Sequence, residues 1–183
     1  MKAEKIQAEL VENRLVVWDP KEGTELYGVG YYGKPLGIPK PKVIDFKVPL
    51  LLDLMEGLYL FEKGKLIIFE KGKRVSKKEL IKKAGQIYEE FPLKYAVYRD
   101  LREKNLIVQP GIKFGCDFAV YEQGPGIDHA PFLVQVKRRG DKMDAVEIVR
   151  AGRLATTVRK RFLIAIPNRK KGVTYLIFKW WKA

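Results

Sequence analysis

The stretch KFGCDFAVYEQGPGIDHAPFLVQV, residues 113–136, decides the fold class. Its first part alternates, with Cys116, Phe118 and Val120 set against Asp117, Ala119 and Tyr121. Period-two alternation predicts a strand with the two sets on opposite faces. Gly124-Pro125-Gly126 interrupts it, because proline gives no amide hydrogen to a ladder and glycine favours turns. Beyond the turn, Pro131 leads into FLVQV, a second predicted strand.

Outward from this pair the second half becomes an alternating α/β chain. LIVQPG (106–111) predicts a strand, and PLKYAVYRDLREKN (92–105) a helix that starts at Pro92 and carries Val97 and Leu101 on one face. Downstream, DAVEIVRAGRLATTVRKRFLIAI (144–166) opens as a helix, with Ala145, Ile148, Val149, Ala155 and Val158 near helical spacing, and turns into a buried strand at FLIAI. PNRKKG (167–172) is a turn, and VTYLIFKWW (173–181) is the last strand.

The first half also mixes the two periods. Lys2 to Asn13 carries a weak helical period, LVVWD (15–19) predicts a strand, and PKEG (20–23) a turn. ELYGVGYYGKPLG (25–37) is Gly-rich and aromatic, which predicts a bent strand or hairpin; no helix signal follows, so it is not a dinucleotide fingerprint. A short helix is expected over 49–56 and a strand near Tyr59, then a hairpin turn at EKGK (62–65) and a return strand LIIFE (66–70). Ser76 caps a helix, with Glu79 in the capping-box position. Helix meets helix near residue 91, so the expected domains are 1–91 and 92–183.

Composition narrows the function. The net charge is +14, and residues 92–183 carry 19 basic and 8 acidic residues against 17 and 14 in residues 1–91. A basic second half beside a near-neutral first half points to a polyanion, above all nucleic acid. The single cysteine, Cys116, excludes an internal disulfide and a multi-cysteine metal site. No apolar run reaches the roughly 20 residues that span a bilayer, and no signal-peptide core opens the chain, so the expected location is the cytoplasm. One Ser and three Asn beside many Lys and Glu is a thermophile bias.

Three residue types carry possible chemistry. His129 is the only histidine, placed just past the Gly-Pro-Gly turn; imidazole exchanges protons near neutral pH. Tyr121 stands eight residues before it at a strand end. A phenol ordinarily titrates near pH 10, so it serves as a base only beside cations. GRLATTVRKRF offers these, and helical spacing puts Arg153 and Lys160 on one face.

These same residues carry a resemblance. KFGCDFAVYEQGPGIDHAPFLVQV followed by RLATTVRKRFLIAI resembles the catalytic domain of the tRNA-splicing endonucleases, over about Tyr95 to Trp180, with the Tyr-to-His interval of eight, the GPG turn and the VRK before an apolar strand in order. The first half resembles, more loosely, the small N-terminal domain of archaeal members. The resemblance implies a small N-terminal α/β domain followed by a C-terminal restriction-endonuclease-like α/β domain with a mixed sheet. It implies a triad of Tyr121 as base, His129 as acid and Lys160 as electrostatic stabiliser, with no metal or cofactor. It also implies that Arg153 and a second planar side chain grip an unpaired base; Trp180 is the candidate, or else it packs at a subunit interface.

The implied substrate is precursor tRNA with a bulge-helix-bulge, cut to a 2′,3′-cyclic phosphate and a 5′-OH. Archaeal members of the family dock an acidic loop, between their last two strands, into a partner. Here that turn, PNRKKG, holds three basic residues and no acid. The expectation is a catalytic subunit in an α2β2 heterotetramer, with a structural paralogue that supplies the acidic loop. Two alternatives stay open: a metal-dependent restriction-like nuclease built on Asp117 and Gln135-Val136-Lys137, and a non-catalytic RNA-binding subunit.

Overall fold

In the computed structural model the described residues are 5–39, 41, 43–127, 131–157, 160–168 and 172–178. The backbone forms two compact units, Met1–Phe91 and Pro92–Ala183. Both are mixed α/β layers, and each sheet holds one parallel pair among antiparallel ones.

The first unit opens with β1 (Ile6–Val11) and β2 (Arg14–Val17), an antiparallel hairpin. The helical period expected over residues 2–13 is wrong here. Ile6, Ala8 and Leu10 are buried in alternation, a strand pattern whose inner positions include a small Ala8 that the helical reading overlooked. A second correction follows at once. Residues 20–30, expected as turn and hairpin, form helix α1 (Pro20–Gly30). Asp19 caps it by accepting from the Lys21 amide, Pro20 sits in the first turn, and Tyr31 ends it in the left-handed conformation at φ 53°. The cap and the proline outweigh three glycines.

The order expected over residues 46–61 is also inverted. After β3 (Lys34–Pro35), β4 (Leu50–Leu52) comes first and helix α2 (Leu54–Glu62) second. Asp53 and Glu56 make a full capping box: Asp53 accepts from the Met55 and Glu56 amides, and Glu56 accepts from the Asp53 amide at 3.0 Å. The turn at 62–65 ends this helix rather than joining two strands. β5 (Leu66–Glu70) then runs parallel to β1, and β6 (Lys73–Arg74) folds back on it at the sheet edge. Helix α3 (Lys77–Ile87) is capped by Ser76 and Glu79 as expected.

The core of this unit is Leu15, Val17, Leu50, Leu52, Leu58, Leu60 and Ile68, all fully buried. Each such side chain contributes about 1.5–3 kcal/mol by leaving water. Gly57 lets α2 lie close on β2, since a Cβ there would come within 1.8 Å of Leu15 Cδ1.

The second unit opens with helix α4 (Phe91–Glu103), whose Val97, Tyr98 and Leu101 are buried. Its sheet has the order β11-β10-β9-β8-β7, from β7 (Ile107–Pro110), β8 (Phe118–Tyr121), β9 (Phe132–Val136), β10 (Arg161–Asn168) and β11 (Gly172–Ile177). β9 and β10 are parallel, joined through helix α5 (Ala145–Thr157). A parallel pair needs such a crossover.

Two tethers fix α4 to the sheet. The buried Arg102 donates to Tyr98 Oη at 3.0 Å and to the Val108 carbonyl at 3.2 Å. Tyr175 of β11 donates to Asp100 at 2.6 Å, and burial with that carboxylate raises its hydroxyl well above the usual phenol range.

Two expectations in this unit change. Residues 112–114 form a 3-10 turn, so β8 starts only at Phe118. Cys116 therefore packs with Ala119, Leu133, Phe162 and Ile164, not on the face of Phe118. On α5 three of the residues expected at helical spacing, Ala145, Ile148 and Val149, are exposed, as is Val146, while Met143, just before the helix, and Ala151 lie partly buried against the cluster. Val158 lies outside the described residues.

Candidate active site

Strand register builds the site. β8 pairs antiparallel with β9, with Val120 opposite Phe132. β10 pairs parallel with β9, with Arg161 opposite Phe132, and the Arg161 amide donates to the Pro131 carbonyl at 2.8 Å. Tyr121 follows Val120 and Lys160 precedes Arg161. The phenol and the ammonium thus belong to the same end of the sheet, on either side of the start of β9. Two strand spacings put their backbones about 10 Å apart.

Both side chains are half-buried, and both meet the same apolar cluster. Tyr121 packs against Cys116, Ala119, Leu133, Phe162 and Ile164, as does Phe114. The Lys160 ammonium lies 5.4 Å from the centre of the Phe114 ring. Its neighbour Arg161 lies over Phe132 at 5.8 Å. A ring face attracts such a cation electrostatically and helps to fix its position. Phe114 is a residue that the sequence did not single out; it stands 46 positions before Lys160, and only the fold joins them. Beside it opens a cavity of about 370 Å³ lined by Phe114, Gln135, Met143, Glu147 and Phe162.

His129 lies outside the described residues, as does Trp180. Arg153 is exposed on α5 and lines a different, apolar hollow of about 360 Å³ with Ala145, Val146 and Val149. The helical spacing that joined Arg153 and Lys160 does not hold, because α5 ends at Thr157 and Lys160 precedes a strand.

Asp117 has a structural task. One carboxylate oxygen faces Lys94 at 2.9 Å. The other accepts from the Gln135 side chain and the Val136 amide, each at 2.7 Å. Lys137, the remaining member of the restriction-like pattern, pairs with Glu147 at 2.6 Å. Asp117 and Gln135 are thus tied to each other, and Lys137 to Glu147. Among the described residues no three ligand-type side chains cluster in a way that would hold a metal ion. Cys116 is buried, and burial followed by the Asp117 charge pushes its thiol up to about 11.

Comparison with known proteins identifies the family. The sequence model of the tRNA intron endonuclease catalytic C-terminal domain matches residues 91–175, and that of the N-terminal domain of the same enzymes matches residues 6–81. A tRNA-splicing endonuclease of Hyperthermus butylicus is 49% identical over 179 residues, covering 97% of this chain and 99% of that protein. Those of Sulfurisphaera tokodaii and Sulfolobus acidocaldarius are 41% and 40% identical, over 95% and 97% of this chain and 98% and 99% of theirs.

The chain belongs to the tRNA intron endonuclease family. It is accordingly an endoribonuclease with a tRNA-splicing function. The match to the catalytic-domain model spans Tyr121, His129, Arg153 and Lys160 and ends before Trp180. Both halves of a tRNA intron endonuclease are present in the order of the family, and the archaeal sources of the relatives fit the lysine- and glutamate-rich composition. No helix among the described residues is long and apolar enough to cross a membrane.

Proposed function

We propose that this chain cuts precursor tRNA at exon–intron junctions, with Tyr121, His129 and Lys160 as its catalytic residues. The observation that carries this is the register that sets Tyr121 and Lys160 on either side of the start of β9. His129 stands two residues before Pro131 in the sequence, and Pro131 is bonded to the neighbour of Lys160.

The chemistry needs no metal. Tyr121, as phenolate, takes the proton of the ribose 2′-OH. The 2′ oxygen attacks the adjacent phosphorus, and the bond from phosphorus to the 5′ oxygen breaks. His129 gives its proton to that leaving oxygen, and Lys160 stabilises the extra charge on the phosphorane. The products are a 2′,3′-cyclic phosphate and a 5′-OH. Residues 92–183 supply this catalysis, and residues 1–91 form a structural domain. The substrate fold is the bulge-helix-bulge, read by shape, with one unpaired base stacked on Arg153 and Trp180.

The working enzyme is an α2β2 heterotetramer in the cytoplasm. A structural paralogue supplies the acidic loop that the turn at 167–172 lacks. The large apolar residues that the second unit exposes, Val146 and Val149 of α5 and Leu176, Ile177 and Phe178 at the end of β11, support cover by other subunits. Residues 169–171 of the turn lie outside the described residues.

The test is cleavage of an intron-bearing precursor by the chain mixed with its paralogue, in excess EDTA, with both new ends mapped. Cyclic phosphate and 5′-OH ends are expected. Ends of the 5′-phosphate type, or activity abolished by EDTA, would overturn the proposal.

A further inference from the structure

The near-neutral charge of residues 1–91 is a sum of two opposite parts. Residues 63–83 hold nine basic and two acidic residues, while the rest of residues 1–91 holds eight basic and twelve acidic ones. A net of +7 in 21 residues therefore sits beside a net of −4. The averaged count of the first half concealed this segregation.

The fold gathers those charges along one edge. β6 is an outer strand of its sheet, joined to β5 by Lys71 and Gly72. Both of these residues have positive φ, 48° and 75°, which marks a tight hairpin turn that fits the strand twist. Lys71, Lys73 and Arg74 are all exposed on this hairpin. α3 follows directly and adds Lys78 and Lys82, exposed and one helical turn apart.

The acids nearby are already engaged. Glu62 pairs with Lys77 at 2.7 Å and Glu70 with Lys83 at 2.8 Å, which clamps α3 to α2 and β5. Glu79 is held by the Ser76 cap. For Lys71, Lys73, Arg74, Lys78 and Lys82 no ion pair with a carboxylate is found among the described residues.

A solvated thermophile surface mixes both signs into networks. Here one sign dominates, and like charges held together repel. A partner of opposite charge removes that cost. An anionic membrane is disfavoured, because Leu80 and Ala84 of α3 are buried and only Ile81 and Ile87 remain exposed on it, too narrow an apolar face to enter a bilayer. We propose that this edge of the first unit binds the sugar–phosphate backbone of the substrate RNA at nucleotides outside the splice junction. The proposal rests on the RNA-cleaving function given above and extends it to a second contact surface.

The experiment uses the complete, assembled enzyme and a variant with Lys71→Gln, Lys73→Gln, Arg74→Gln, Lys78→Gln and Lys82→Gln. All five side chains are exposed, so an unchanged Tm is the control for folding. Binding is measured against a full-length precursor and a short RNA that holds only the splice junction. For the full-length RNA the variant should bind about 10-fold or more weakly, with a salt slope shallower by about 3.5–4.5 if all five contacts are lost, at roughly 0.7–0.9 per lost phosphate contact. Its kcat at saturation, and its cleavage of the short RNA, should stay within about 2-fold of the parent enzyme.

Unchanged affinity and slope would overturn the surface. So would equal loss on both RNAs, or an equal loss per charge in a Lys5→Gln, Lys21→Gln control, since either would mean that net charge alone matters. Loss of binding only to vesicles of anionic lipid, or to an acidic polypeptide, would assign the edge to another partner and reject the RNA. Cleavage by the unsubstituted enzyme is read separately, so failure of the underlying function is distinguished from failure of this surface.

Discussion

At the scale of single residues, the roles divide by what each side chain can exchange with its surroundings. His129→Ala should slow cleavage by about 10²–10⁴-fold, the usual worth of general acid catalysis, while precursor binding stays within a few-fold. Single-turnover kinetics with a filter-binding control checks both. Cys116 should behave oppositely to a reactive thiol. With its titration pushed up to about 11 and its sulfur buried, it stays protonated at neutral pH. Alkylation by iodoacetamide at pH 7.5 should be slow in the folded chain and complete in denaturant, as mass spectrometry would report. Its burial was legible in the sequence, but its face was not. The alternation from Cys116 to Tyr121 assumed an unbroken strand, whereas the 3-10 turn at Ile112–Phe114 shifts the start of β8 to Phe118.

At the scale of elements, caps and carboxylate ties hold the pieces in place. Ser76→Ala should cost about 1 kcal/mol by removing the N-cap of α3, measured as a shift in the urea midpoint. The pH dependence has a definite sign. Hydrogen bonds from Ser76 lower the titration of Glu79 below its ordinary 4.5, so the capping box contributes fully above that value and is lost as pH falls through the lower, folded one. The S76A variant should therefore lose less stability than the parent on going from pH 6 to pH 3. Asp117→Ala should cost about 3 kcal/mol, because it strands Lys94 and the Val136 amide. Metal catalysis through Asp117 would instead predict a stable, inactive variant; here the variant should be unstable yet cut RNA in EDTA below its Tm.

The same scale shows where sequence reading succeeds. Ser76 with Glu79, Pro92 and FLIAI each carry one signal with no competitor. IQAEL does not, since Ile6 and Leu10 fit both a strand and a helix, and the burial of Ala8 decides. Around α1 the Asp19-Pro20 start signal was present but was outvoted by glycines. Register is a relation between distant segments, so the approach of Lys160 to Phe114 was not legible at all.

At the scale of the whole molecule, the second unit carries large apolar side chains on its surface. Val146, Ile148 and Val149 of α5 are exposed, and such an apolar row fits the proposed partner subunit. The isolated chain should give no active tetramer in light scattering coupled to a cleavage assay, and activity should appear on adding the paralogue. An active homotetramer would refute the need for a partner.

The shared pairing of β8 and β10 with β9 has a practical consequence for tolerance to insertions. One extra residue inside β10 would either turn the side chains that follow it to the opposite layer or, if those keep their register, shift Lys160 along the strand by about 3.3 Å. One extra residue between Val136 and Ala145, in the segment that leads to the crossover helix, leaves the alignment of both ladders untouched. Length variation in this enzyme should therefore collect in the crossover, and the ends of three adjacent strands should keep their count.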